Sequence, residues 1–167
     1  MSYLDHKATS PVTVRCAIVT ISDTRTQDND TGGNAIAELL HSQKHPVLAR
    51  TIVRDDPAAI LAAVNSLLEN PQVQIVITTG GTGISSRDST YEIVERLIEK
   101  RLEGFGELFR MLSFEEIGAS AMLSRASAGV ARGKIIFSLP GSPNAVRLAM
   151  TRLILPELGH LVRELSR

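Results

Sequence analysis

Three aspartates and a run of glycines are the residues in this chain whose types and spacing could do chemistry. Gly80, Gly81, Thr82 and Gly83 follow an apolar, β-branched stretch ending in Thr78-Thr79, so the glycines fall where a buried strand stops. A strand exit of this kind lets several backbone N–H groups crowd around one anion, because no Cβ blocks the approach; phosphate is the usual guest. Arg87 and Asp88 come next, just before Ser89-Thr90-Tyr91-Glu92, which has the S/T-x-x-E form of a capping box opening a helix with Ile93, Val94, Leu97 and Ile98 on its apolar face. Asp88 then has two readings: it caps that helix itself, or it holds a metal or handles a proton beside a bound phosphate. The loop is not a Walker loop, since no Gly-Lys-Ser/Thr follows, and its glycines do not match G-x-G-x-x-G.

Asp55 and Asp56 precede Pro57, and a proline suited to the first helical position makes Asp56 the natural cap and leaves Asp55 without a structural task. Ser22-Asp23 ends the first strand-like run. Pro140-Gly141-Ser142-Pro143 forms a second glycine-bearing strand exit, with Ser142 placed to cap and Pro143 at the first helical position.

The elements that must position these groups alternate. Residues 12–22 read as a strand, Asp30 or Thr31 caps a helix carrying Ile36, Leu39 and Leu40, and residues 46–53 form a second strand. The next helix carries Ile60, Val64, Leu67 and Leu68 on one stripe. After the glycine loop and its helix, Phe105, Phe109 and residues 111–114 form a helix packed on the sheet or on a second subunit, with Glu107 and Arg110 as a surface ion pair. Residues 126–131 and 134–139 make a hairpin about Arg132-Gly133, and a last helix with Val146, Met150, Leu153 and Ile154 is interrupted by Pro156 before Leu158, Leu161 and Val162. Strands alternating with helices give an α/β domain with a mostly parallel sheet, in which ligands bind outside the carboxyl ends of the strands. Ser22-Asp23, Asp55, residues 79–88 and residues 140–143 all fall at such ends. Together they describe a pocket for a phosphorylated ligand with acids available for Mg²⁺, suited to phosphoryl or nucleotidyl transfer.

Composition narrows the setting. A chain of 167 residues is long enough for one domain, here residues 12–167 behind a polar tail at 1–11. Eighteen basic and 18 acidic residues cancel, so nothing favours nucleic acid or an anionic membrane. Cys16, the only cysteine, can form no internal disulfide and reads as an inert strand residue. With neither a signal-peptide pattern nor an apolar run of membrane-spanning length, the expectation is a cytoplasmic protein.

Thr78-Thr79-Gly80-Gly81-Thr82-Gly83 with Arg87-Asp88, then Gly104-Phe105-Gly106-Glu107, Ser124-Arg125-Ala126 and Leu139-Pro140-Gly141-Ser142-Pro143, closely resemble the molybdopterin-binding family of molybdenum cofactor biosynthesis. The resemblance implies a three-layer α/β/α sandwich, a homo-oligomer (a trimer or a dimer of trimers) and binding of molybdopterin. In active members of the family ATP and Mg²⁺ adenylylate the pterin phosphate, releasing pyrophosphate; other members bind without an assigned reaction. By matching position, Asp55 and Asp88 are implied as the acids at the reacting centre, residues 80–83 as the phosphate loop, and Ser142 as a boundary of the pterin site. The chain departs from many relatives at Tyr91, where they have proline, and at Gly32-Gly33, where they have a serine-glycine pair.

Overall fold

The computed structural model describes residues 13–167. The tail expected at 1–11 lies outside them. A six-stranded sheet has the order β2-β1-β3-β6-β5-β4. The strands β1 (Cys16–Ile21), β2 (Val47–Val53), β3 (Ile75–Thr79) and β6 (Lys134–Leu139) run parallel, while β5 (Ser127–Ala131) pairs antiparallel with both β6 and the short β4 (Lys100–Arg101).

The period-two geometry of a strand sends alternate side chains to opposite faces, and here both faces are covered. Cys16 and Ile18, Ile75 and Ile77, and Ile135, Phe137 and Leu139 point into one core, packed by helices α1 (Thr31–Ser42), α4 (Glu103–Ile117), α5 (Pro143–Ala149) and α6 (Leu155–Leu165). Ala17, Val19 and Ile21, Val76 and Ile136 point into the other, packed by α2 (Pro57–Glu69) and α3 (Thr90–Leu97). That is the three-layer α/β/α sandwich expected. It explains why β1 and β3 are apolar at consecutive positions instead of alternating. Because β1 leads through α1 to β2 on one side and β3 lies on the other, the strand order reverses between β1 and β3, which puts a ligand crevice at their carboxyl ends.

The local signals mostly act as their chemistry dictates. Asp30, buried, caps α1 by accepting from Gly33 N at 2.9 Å, which decides between Asp30 and Thr31. Its other oxygen accepts from Thr20 Oγ1 at 2.8 Å and pairs with Arg50 Nη2 at 2.7 Å. Burial alone would raise the Asp30 pKa, but these donors hold it below the usual carboxylate range. Asp56 caps α2 on Ala59 N at 2.9 Å with Pro57 behind it. Arg132 and Gly133 both take positive φ, +48° and +72°, the conformation a two-residue hairpin turn requires. Cys16 is buried, which pushes its thiol up to about 12, in keeping with an inert residue.

Other expectations are corrected. Ser89 stands at the N-cap of α3 but makes no cap hydrogen bond, because its hydroxyl donates to Asp55 and Glu92 pairs with Arg125; charged partners displace the reciprocal box. Arg110 donates to the carbonyl of Ala126 at 3.1 Å and not to Glu107. The strand β4 and a 3₁₀ segment, Gly118–Leu123, carry no pattern that reading the sequence detects. A π turn, Met150–Ile154, separates α5 from α6; Leu155 N bonds Met150 O, and Pro156 follows without an N–H to continue the regular ladder.

His45 supplies a pH dependence. It is buried, and its Nδ1 accepts from Val14 N at 3.1 Å, so the proton sits on Nε2. Burial lowers its pKa below 6.5. The unfolded chain therefore takes up the proton first, and stability that is complete above about pH 6.5 falls as pH drops toward the lower folded-state value. Urea midpoints measured from about pH 7.5 to 5 should decline. His45→Asn, whose amide oxygen can accept the same bond without titrating, should flatten that slope.

Candidate functional site: a glycine loop between two clefts

The strand β3 delivers its last residue, Thr79, beneath the end of β6, where Thr79 Oγ1 donates to Pro140 O at 2.9 Å. Gly80 then turns with φ +95°, so close under β1 that a Cβ would lie 2.2 Å from Ile21 O. Gly81, at φ +66°, leaves no room either: its Cβ would meet Thr90 Oγ1 at 2.2 Å and Asp55 Oδ2 at 2.9 Å. These two glycines are obligatory, for conformation and for space. The chain runs on through Thr82, Gly83 and Ile84, and the N–H groups of Gly81, Thr82, Gly83 and Ile84 find no acceptor among the described residues. A run of unspent N–H groups is the feature from which anion-binding loops are built.

Two clefts open at this edge. One of about 370 Å³ is lined by residues 80–83, Asp88, the segment 140–142 and, from α4, Phe109 and Ser113. A wider one of about 760 Å³ is lined by Asp23, Arg54, Asp55, Asp56 and Arg87. Both volumes are in the range of small-molecule sites. The expected site residues thus share one edge of the sheet but divide between clefts: Asp23, Asp55 and Arg87 line the wider one, residues 80–83, Asp88, Gly141 and Ser142 the other, and Ser22, Thr79 and Pro143 line neither.

Each side chain has a definite post. Asp88 is not the cap of α3: its Oδ2 accepts from Ser85 N at 3.1 Å and lies 2.7 Å from where a Gly83 Cβ would be. Asp55 Oδ1 accepts from Ser89 N at 3.3 Å and Ser89 Oγ at 3.0 Å at the N-terminus of α3. Asp55 Oδ2 and Asp88 Oδ1 receive no hydrogen bond from the described residues, so each carboxylate keeps one oxygen for a ligand. Asp23 accepts from Asp55 N at 3.2 Å and pairs with Arg87. That hydrogen bond from Arg87 holds Asp23 below the usual carboxylate range, and Asp23 in turn raises Arg87. Ser22 Oγ accepts from Thr24 N at 3.1 Å and Arg25 N at 3.0 Å, which commits it to shaping the turn. Ser142 caps α5 on Ala145 N at 3.3 Å, Pro143 occupies the first turn, and a Cβ on Gly141 would lie 3.4 Å from the Cα of Gly80. Gly32 lies under the same segment, where a Cβ would meet Gly141 O at 3.3 Å.

A magnesium ion is ordinarily held by one or two carboxylates, with phosphate oxygens and water completing an octahedron. Asp55 and Asp88, each with a free oxygen beside the loop, fit that pattern. Among the described residues no group of three or more His, Cys, Asp or Glu could cage a metal by itself. Arg125, which donates to Thr82 O at 2.9 Å and to Gly83 O at 2.5 Å, and Ser113 in the cleft wall carry no local signal in the sequence, and Phe109, expected only as a packing residue, also lines the cleft. Arg125 lies in a motif with no spacing rule tying it to the loop.

A doubly wound sheet with a glycine-built loop and nearby acids at its reversal point defines an α/β domain of the kind that binds small ligands at the carboxyl ends of its strands. Comparison with known proteins narrows the class: residues 17–160 match the family described as probable molybdopterin binding domain. Molybdenum cofactor biosynthesis protein B of Bacillus cereus is 53% identical over 168 residues, covering 100% of this chain and 99% of the relative. A crystal structure of a molybdenum cofactor biosynthesis protein B superposes with a TM-score of 0.92 at 53% identity, over 95% of this chain and 99% of the other. The tungsten cofactor synthesizing protein MoaB from Pyrococcus furiosus superposes with a TM-score of 0.84 at 36% identity, over 95% of this chain and 100% of its own. The chain belongs to the molybdopterin-binding family of molybdenum cofactor biosynthesis. Among the described residues no helix is long and apolar enough to cross a membrane.

Proposed function

We propose that this chain binds molybdopterin in the glycine-lined cleft and adenylylates it with Mg·ATP. The observation that carries this reading is the run of four unspent N–H groups at residues 81–84, flanked by two carboxylates that each keep an oxygen free. An oxygen of the pterin's terminal phosphate attacks the α-phosphorus of ATP. A new P–O–P bridge forms, the α–β bond breaks, and pyrophosphate leaves. Such a reaction asks mainly for positioning and charge neutralisation. The loop amides hold phosphate oxygens, and the rigid Gly80 turn fixes their direction. Arg87, tethered by Asp23 at the mouth of the wider cleft, adds positive charge near the polyphosphate. Asp55 and Asp88 would hold Mg²⁺, whose chemistry is to offset the triphosphate charge. The protein incubated with molybdopterin and Mg·ATP should yield adenylylated pterin and pyrophosphate in equal amounts; pterin retained with no pyrophosphate formed would overturn the enzymatic reading.

One observation favours a second reading, a non-catalytic molybdopterin carrier in the same pathway. Asp55 and Asp88 line different clefts. That separation suits two independent anchoring points as well as one reacting centre. The same assay separates the two.

The assembly reading rests on α4. Leu108, Met111, Phe114 and Ile117 there, with Met122 and Leu123 on the 3₁₀ segment, are between 47% and 80% exposed, a clustered apolar face of the kind that marks an interface. A homo-oligomer, a trimer or a dimer of trimers, covers it. Sedimentation equilibrium should give a multiple of three for the wild-type protein and a smaller species for Phe114→Glu.

A further inference from the structure

Arg125 reaches the glycine loop from the side away from the cleft. It lines a separate cavity of about 310 Å³ with Tyr91, Arg101, Gly106 and Arg110, and it is absent from the walls of both clefts described above. From there one guanidinium takes two successive loop carbonyls, Thr82 O through Nε at 2.9 Å and Gly83 O through Nη2 at 2.5 Å. Its Nη1 pairs with Glu92 in the first turn of α3, and its Cζ stands over the Tyr91 ring, 4.8 Å from the ring centre. The pair with Glu92 also holds that carboxyl below its usual range.

The geometry has a directional consequence. A trans peptide is planar, with C=O and N–H pointing opposite ways. When Arg125 draws the carbonyls of Thr82 and Gly83 to one side, the N–H groups of the same two peptide units, those of Gly83 and Ile84, are turned to the other. Glycine at 83 would otherwise leave this stretch free to flip. A guanidinium is suited to the task because its donors are fixed in one plane, whereas an ammonium is a point charge that cannot hold two carbonyls in a set relation.

We propose that Arg125 is a positioning residue for the anion-binding loop: through its paired bonds to Thr82 and Gly83 it keeps the N–H groups of Gly83 and Ile84 aimed at the bound phosphate, while Glu92 and Tyr91 hold the guanidinium in place. The role rests on the phosphate-loop reading above, and the test is built so that the two can fail separately. Wild type, Arg125→Lys and Arg125→Ala are compared for binding of pyrophosphate with Mg²⁺ by calorimetry, for thermal midpoint, and for ¹⁵N order parameters at Gly83 and Ile84 without ligand. Both variants should bind about tenfold or more weakly. Their order parameters at 83 and 84 should fall, and added methylguanidine should restore affinity to Arg125→Ala only. A midpoint within a few degrees of wild type in Arg125→Lys, beside weakened binding, separates positioning from general stability. Wild-type affinity and unchanged order parameters in Arg125→Lys would overturn the proposal. If the wild-type protein binds no pyrophosphate, the phosphate-loop reading falls, and the order parameters alone then decide whether Arg125 sets the loop.

Discussion

Asp88→Asn should lose on the order of 10²–10³-fold in adenylylation turnover while its affinity for molybdopterin and its thermal midpoint stay near wild type. The substitution is a fine probe because the amide oxygen of asparagine can still accept from Ser85 N, the one hydrogen bond the carboxylate accepts among the described residues, so the 85–88 turn survives. What is removed is charge, at the side chain that borders Gly83. Asp55→Asn should behave alike, since an amide oxygen can also accept from Ser89. The two losses should not add when combined, as expected of groups that serve one ion. Normal turnover in Asp88→Asn would remove Asp88 from the reaction. Proportional losses that multiply in the double variant would place the two acids at independent tasks, in keeping with the different clefts they line.

Gly80→Ala acts on the scaffold. The residue has φ +95°, and the ideal Cβ falls 2.2 Å from Ile21 O, a backbone atom at the carboxyl end of β1 that no rotamer change can move. The conformational penalty and the overlap together should cost about 3 kcal/mol or more. For a chain of this length that corresponds to a drop in thermal midpoint of roughly 6–12 °C. Gly104→Ala is the control: it meets nothing within 4 Å and should leave the midpoint unchanged or slightly raised. If Gly80→Ala melts with wild type, the loop is softer than its close packing indicates, and the cradle cannot be preformed.

Where a residue's task is set by its own neighbours along the chain, the primary structure discloses it. Asp56 before Pro57, Ser142 before Pro143, and Arg132-Gly133 between two apolar runs each act locally, and each forms the cap or turn expected. Asp55 was singled out by the same argument in reverse, because Asp56 and Pro57 left it no local task. Ser89 and Glu92 show where local logic ends. Their spacing is right for a capping box, yet Asp55, 34 residues upstream of Ser89, and Arg125, 33 residues beyond Glu92, are charged partners and take them away. The same distance hides the division of the site: that Asp55 and Asp88 line different clefts depends on β1, β2 and β3 lying side by side, which no spacing within 79–88 encodes. Arg125 stayed unassigned for that reason, although it sits in a recognisable motif.

The turn between α5 and α6 makes chain length itself a determinant of packing. Val146, Met150, Ile154, Leu158 and Val162, each 7% exposed or less, recur at intervals of four. A regular helix advances about 40° too far at every such step, so four steps would swing the stripe about 160° off the sheet. The surplus residue absorbed at 150–154 takes back about 100° of that. Removing one residue there would straighten the hydrogen-bond ladder and leave Leu158 and Val162 facing the sheet, whereas a residue removed from the regular turns that follow would rotate those beyond it by about 100°. The five-residue segment therefore absorbs a change in count that the regular turns on either side would pass on to the packing.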